Sequence, residues 1–260
     1  MRLIDTHCHL DVEEFDPDRM AVLARARARG VAGIVVPGVQ ADHWHSLLEF
    51  CAGEPDLYPA LGMHPVYVDT HRDVHLEQLE RLVGQQRPLA IGEIGLDYYV
   101  AGLDHDRQQS LFEAQLELAR VHDLPVILHV RKAHDAVLAT LRRIQVRGGI
   151  CHAFNGSLQQ GHRYIDLGFR LGFGGMLTFT RSTKLRALAH DLPLSAIVLE
   201  TDAPDMTVVQ HQGERNSPEY LPYCLSALAT VRGADEREIA EQTTANAREV
   251  LGLAGWQALH

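Results

Sequence analysis

The 260-residue sequence predicts an α/β protein, a single (β/α)8 TIM barrel over residues 1–260 with an extra C-terminal helix. Three observations carry the prediction. Short apolar runs alternate with longer segments of helical spacing along the whole chain, the signature of a parallel sheet. The runs are almost continuously apolar and rich in β-branched residues, as in Ile34-Val35-Val36, Val126-Ile127 and Ile197-Val198, which suits strands buried on both faces. Reactive side chains stand at the ends of several different runs, as a closed barrel requires. An open doubly wound sheet would instead place a glycine-rich loop after its first strand, and none occurs.

Taken in order, each run leads to a characteristic residue. Leu3 to Cys8 contains His7 and is followed by His9; Ala32 to Pro37 ends at Gly38; Leu57 to Leu61 leads to His64; Leu89 to Ile91 leads to Glu93. Pro125 to Leu128 leads to His129, Gly149 to Cys151 to His152, Phe169 to Phe173 to Gly174, and Ala196 to Leu199 to Asp202. Helical spacing is clearest from Arg107 to His122, where Leu111, Ala114, Gln115 and Leu118 alternate with charges. The extra helix runs from Asp235 to Leu251, with Asp235 as N-cap and Glu238 completing a capping box. The longest irregular stretch, Ala203 to Ser217, follows the eighth strand and is placed beside the chemistry.

Composition narrows the function. A formal charge of −10 argues against a histone-like coat or a polybasic membrane binder. Only Lys132 and Lys184 are lysines, so arginine supplies the rest of the basic residues, and histidine reaches 16. No apolar stretch is long enough to cross a membrane, and Asp5 interrupts the N-terminus where a signal peptide would stay apolar. Cys8, Cys51, Cys151 and Cys224 show no close pairing, so a reducing cytoplasm is the expected location. No obligate protein partner is evident.

Residues two apart on a strand share a face, so His7 and His9 both enter the barrel mouth. Together with Glu93, His129, His152 and Asp202 they form a set of nitrogen and oxygen donors able to hold two divalent cations if one acid bridges. Glu93, flanked by Gly92 and Gly95, is the bridge candidate; Asp202 would ligate the first metal opposite His7 and His9 and orient the nucleophile. Magnesium, manganese and zinc all remain open. Arg131, two residues after His129, should face inward and clamp phosphate oxygens, and a rim salt bridge is its bland alternative. His64 is read as a contact to a substrate oxygen or leaving group, with strand-end packing as the alternative. Cys8 and Cys151 point toward the helix layer as small apolar side chains. Tyr67, Tyr98, Tyr99 and Phe154 lie near the mouth and can stack bases or simply pack. Ser217-Pro218 reads as a helix start, leaving Arg215 and Asn216 free for substrate.

These blocks, from Asp5 to His9, Gly62 to Pro65, Gly92 to Tyr98, Leu128 to Arg131, His152 to Ser157, Glu200 to Pro204, and Arg215-Asn216 with Pro218, occur in one order over nearly the whole chain. In that order they resemble the TatD-type metal-dependent deoxyribonucleases of the amidohydrolase superfamily. The resemblance implies a (β/α)8 fold, metal-dependent phosphodiester hydrolysis and ligand roles for His7, His9, Glu93, His129, His152 and Asp202. Some barrel hydrolases of this kind bridge their metals through a carboxylated lysine, but neither Lys132 nor Lys184 is placed for that, which leaves Glu93. One departure is His152-Ala153-Phe154-Asn155-Gly156, where His-Cys-Phe-Ser-Gly is common.

The expected function is therefore exonuclease-like hydrolysis of DNA at a binuclear centre, with Glu93, Asp202, Arg131 and His64 as the catalytic set. The substrate is expected to be DNA or a small phosphodiester, single-stranded or bound by its end. A metal-dependent amidohydrolase or deacylase acting on C–N bonds of a small molecule is the alternative on the same barrel. A binding protein with a vestigial site is the third reading, and the full donor set argues against it.

Overall fold

A computed structural model describes residues 1–254. Eight parallel strands run in sequence order around one sheet: β1 (Leu3–Asp5), β2 (Val31–Pro37), β3 (Leu57–Leu61), β4 (Ala90–Asp97), β5 (Val126–Arg131), β6 (Gly149–Cys151), β7 (Phe169–Phe173) and β8 (Ile197–Leu199). The helices between them are α1 (Arg19–Ala28), α2 (Trp44–Ala52), α3 (Asp73–Gln86), α4 (His105–Val121), α5 (His134–Arg143), α6 (Leu158–Asp166) and α7 (Thr183–Asp191). After β8 come α8 (Leu221–Arg232) and α9 (Glu236–Leu251). This is the (β/α)8 TIM barrel that the alternation predicts.

The barrel closes just beyond the ends of β1 and β8. Thr6 N donates to Leu199 O at 3.1 Å, Asp202 N to His7 O at 2.8 Å and His9 N to Ala203 O at 2.8 Å. Beneath this seam, Asp5 accepts from Thr201 N at 2.9 Å and pairs with the Thr201 hydroxyl at 2.6 Å. Burial pushes the Asp5 carboxyl up to about 8, so it holds its proton inside the seam. The same seam carries His7, His9 and Asp202, so closing the barrel also assembles part of the site.

β1 is shorter than its apolar run, because the chain from Thr6 onward bonds to the β8 extension instead of continuing a regular ladder. β4 is longer than expected. Its eight residues are all buried, and its pairing with β5 shifts register between Ile91 and Ile94. Such a bulge re-aims a side chain, and here it falls on Glu93. Gly95 permits the close approach of β5: it has φ +147°, and a Cβ there would lie 1.9 Å from His129 O.

α9 closes the opposite end of the barrel. Ala247, Val250 and Leu251 pack on Ile4, Val35, Ala60, Ile127, Ile150 and Val198, the inward residues at that end. Asn246 Nδ2 donates to Leu194 O and Ile197 O at 2.8 and 2.7 Å. Asp235 caps α9 by accepting from Arg237 N and Glu238 N. The Glu238 side chain does not return the second bond of a capping box; it is exposed, where water competes for it. No helix among the described residues is long and apolar enough to cross a membrane.

Candidate metal centre

Glu93 is 1% exposed and is surrounded by imidazoles. Its Oε2 lies 3.1 Å from His7 Nε2 and 3.5 Å from His9 Nε2. Its Oε1 lies 3.0 Å from His129 Nδ1, 3.1 Å from His152 Nε2 and 3.3 Å from His64 Nε2. Asp202 Oδ1 stands 3.6 Å from His7 Nε2 and 3.8 Å from His9 Nε2. The two oxygens of one carboxylate thus face two different sets of nitrogens. His7, His9 and Asp202 gather on one side, and His129, His152 and His64 on the other.

The donor chemistry fits divalent cations better than a hydrogen-bond network. His7 Nε2 and His9 Nε2 are 3.2 Å apart, a distance at which one proton can be shared and two cannot be accommodated. His9 Nδ1 faces Pro37 O at 3.2 Å, so its N–H points there and its Nε2 lone pair is free toward the centre. His129 Nε2 faces Asp97 Oδ2 at 2.9 Å, which turns Nδ1 to the centre in the same way. Three overlapping groups have their ligand atoms close enough to share an ion: His7, Glu93 and His152; His7, His9 and Asp202; His64, Glu93 and His129.

Electrostatics follow from crowding. Burial pushes Glu93 up, but the imidazoles of His64, His7 and His152 overcome it and hold the carboxyl well below its usual range. Burial, aided by His152, holds His7 well below 6.5, whereas His152 is lifted well above it: burial opposes that rise, but Glu93 and Asp202 outweigh it. The two rings stack with centroids 3.9 Å apart, so only one of them carries a proton charge. Burial raises Asp202 to about 6, against the pull of His152 and His9. Cations bound here would displace the shared protons and reverse the local field.

His64 differs from the other imidazoles. Its Nδ1 accepts from Val66 N at 3.1 Å, so the neutral ring carries its proton on Nε2, pointing at Glu93 and His129. It presents a donor where the others present lone pairs. α4 fixes this segment with two buried amides. Gln115 Oε1 accepts from Met63 N at 2.7 Å, while Gln108 accepts from Asp97 N and donates to Pro65 O.

Two acids were not assigned from the sequence. Asp97 orients His129 and accepts from Tyr99 N and Val100 N; burial opposes ionisation, but these bonds bring it down to about 2. Glu200 is buried, accepts from Ala153 N at 2.6 Å and faces His152 Nδ1 at 3.7 Å. Among the described residues its Oε2 has no hydrogen-bond partner, and neither do His7 Nδ1 and His152 Nδ1. Gly172 makes room for it, since a Cβ there would lie 2.1 Å from Oε2. A signal existed for Asp97, which lies on β4 four residues after Glu93 and shares its parity.

Several expectations need correction. Arg131 makes no ion pair with Glu93 among the described residues. It is the last residue of β5, Lys132 then turns with φ 55°, and the guanidinium extends over the Tyr99 ring at 3.7 Å. It lines the mouth without forming an ion pair among the described residues. Phe154 is fully buried against His134, Tyr164 and Phe173, so it cannot stack a base. Arg215 is occupied by Asp18 and Glu14 O, and Asn216 is buried on Thr201 O and Asp205 O, so both brace the loop after β8. Tyr67 and Tyr99 remain open, at 41% and 52% exposed. Cys8 and Cys151 are buried with the apolar core.

The sequence profile of TatD related DNase matches residues 4–252. The chain belongs to the TatD related DNase family. Among its TatD relatives, an uncharacterized metal-dependent hydrolase, YjjV of Escherichia coli K12, is 43% identical over 244 residues, covering 92% of this chain and 94% of that one. A Klebsiella pneumoniae protein named 3'-5' ssDNA/RNA exonuclease TatD is 31% identical over 258 residues, covering 96% and 98%. The crystal structure of YjjV superposes with a TM-score of 0.92 at 41% identity, covering 96% of this chain and 97% of that chain. TatD membership together with the donor cluster makes this chain a metal-dependent hydrolase.

Proposed function

We propose that the chain hydrolyses phosphodiester bonds of DNA, working from a strand end, with two divalent cations held around Glu93. The observation that carries this reading is the split of the Glu93 carboxylate between two nitrogen sets. His7, His9 and Asp202 would hold one cation with Oε2; His129 and His152 would hold the other with Oε1. Bound cations supply charge neutralisation at phosphorus and lower the pKa of water. The preference for phosphodiesters is supported by membership of the TatD related DNase family and by the exonuclease name of the Klebsiella relative.

The protein's own groups have distinct tasks. Asp202, which stands beside His7 and His9 at the centre, accepts the proton that an attacking water gives up. His64 Nε2–H donates to a substrate oxygen on the His129 side. Asp97 and Glu200 act behind the imidazoles, holding His129 and facing His152.

The test is hydrolysis of 3′-labelled and 5′-labelled single strands with magnesium, manganese or zinc, beside a panel of N-acyl amino acids. Asp202→Asn is expected to lower turnover by about 10²–10⁴-fold. Glu93→Gln is expected to lose turnover and bound metal together, measured by elemental analysis. Full metal-dependent hydrolysis in either variant would overturn the assignment. So would wild-type cleavage of the amides with none of the phosphodiesters.

A further inference from the structure

The mouth of the barrel is electrically lopsided. The cavity above the metal centre measures about 1010 Å³ and is lined by Arg131, Arg181 and Lys184 on the arc from β5 to β7. Lys132 stands beside Arg131, with its Nζ 4.7 Å from the centre of the Tyr99 ring. Both lysines of the sequence therefore lie on this one arc. On the β8 to β1 side the acidic lining residues are Glu14, Glu200, Asp202 and Asp205.

The cations are held in place without being neutralised. Arg131 lies over Tyr99 and Arg181 over Phe179, with Cζ 3.7 and 5.0 Å from the ring centres. Lys184 Nζ donates to Asn155 O at 2.8 Å, across the end of β6. Among the described residues, none of the four makes an ion pair with a carboxylate. The departure at Asn155 takes part in this arrangement, since its Oδ1 faces His134 Nε2 at 3.3 Å and steadies the turn that anchors Lys184. In a chain of charge −10, four uncancelled cations on one arc form a local attractor for a polyanion.

We infer that this arc is a track for the phosphates of a single strand, which leaves the metal centre over β5, β6 and β7 and is turned away from the acidic β8 to β1 side. Tyr99, half exposed beneath Arg131 and Lys132, supplies the aromatic surface on which a base of that strand stacks. The inference deepens the proposed phosphodiesterase reading and rests on it. It specifies the substrate as a strand several phosphates long, where a small diester would engage the centre alone.

The test measures binding of phosphorothioate oligothymidylates of two, four and eight residues to the metal-loaded chain, by fluorescence anisotropy over a salt series. Each phosphate contact on a single strand contributes a salt slope of about −0.7. Lys132→Gln, Arg181→Gln and Lys184→Gln together should therefore reduce the slope for the octamer by about 2 and weaken binding roughly tenfold at low salt. Each single variant should remove about 0.7. A control triple, Arg120→Gln, Arg142→Gln and Arg163→Gln, lies in the last turns of α4, α5 and α6 at the opposite end of the barrel and should leave the slope unchanged. An unchanged slope in the rim triple, at an unchanged melting temperature, overturns the track; an equal loss in the control triple does so too. Turnover of an unmodified octamer by the wild type is scored separately. Its absence sinks the phosphodiesterase reading, whereas the salt slopes report on the rim alone.

Discussion

His129 is gripped from both ends, by Asp97 at Nε2 and by Glu93 at Nδ1. Burial disfavours its charge, yet the two carboxylates raise its pKa above the usual value, so the ring is set firmly in one orientation. Asp97→Asn preserves the shape and removes the charge. It is expected to cost about 10–100-fold in metal affinity or turnover, the usual consequence of weakening a ligand's supporting bond. Titration against a chelator measures this, and an unchanged affinity with unchanged turnover would remove Asp97 from the support of the centre. The donor residues were legible because a barrel carries strand ends to one face. Arg131 stands at the rim over Tyr99, because the parity rule holds inside a strand, and this side chain sits on the last residue, before a left-handed turn. Of the two readings open for Phe154, packing is the one the fold takes: Ala153 has φ 43°, and the turn beyond β6 sends the ring into the core.

At the scale of elements, α9 and α4 do different work. α9 fills the end of the barrel remote from the metals, and Leu251 is 2% exposed there. Leu251→Ala should cost about 2–5 kcal/mol of stability through lost burial and a cavity. Loss of the Asp235 cap in Asp235→Ala should cost about 1 kcal/mol. Thermal melts check both, and metal content should stay at the wild-type level, since neither residue touches the centre. The helix itself was readable from its cap and periodicity. Its role as a plug was not, because that depends on Ile4, Ile127 and Val198 meeting Val250 and Leu251 from distant parts of the chain. α4 was likewise expected from spacing, but the amides of Gln108 and Gln115 fix the ends of β4 and β3, a task invisible to an amphipathic pattern.

The whole molecule responds to acid through buried histidines outside the centre as well as inside it. Burial holds His134 below 6.5, although its bond to Asn155 opposes the shift. As pH falls below 6.5 the unfolded chain takes up this proton before the folded chain does, so stability is lost toward the lower folded pKa. His134→Gln should therefore narrow the difference in Tm between pH 7.5 and pH 5.5, values chosen to lie about one unit on either side of the reference. An identical difference in wild type and variant would remove His134 as a contributor. The charge of −10 also acquires a location: acids line the β8 to β1 side of the mouth, while the scarce lysines stand opposite.

The sequence by itself determined the eightfold alternation, the barrel and the set of donor residues carried to its active face. Periodicity is local, and parallel strands with short connections leave few ways to close a sheet. Tertiary structure alone decided which nitrogen of each imidazole faces the centre, how Glu93 divides its two oxygens and where the rim is positive. Those features are set by side-chain neighbours that meet only when the barrel closes, as Thr6 meets Leu199 across 193 residues of chain.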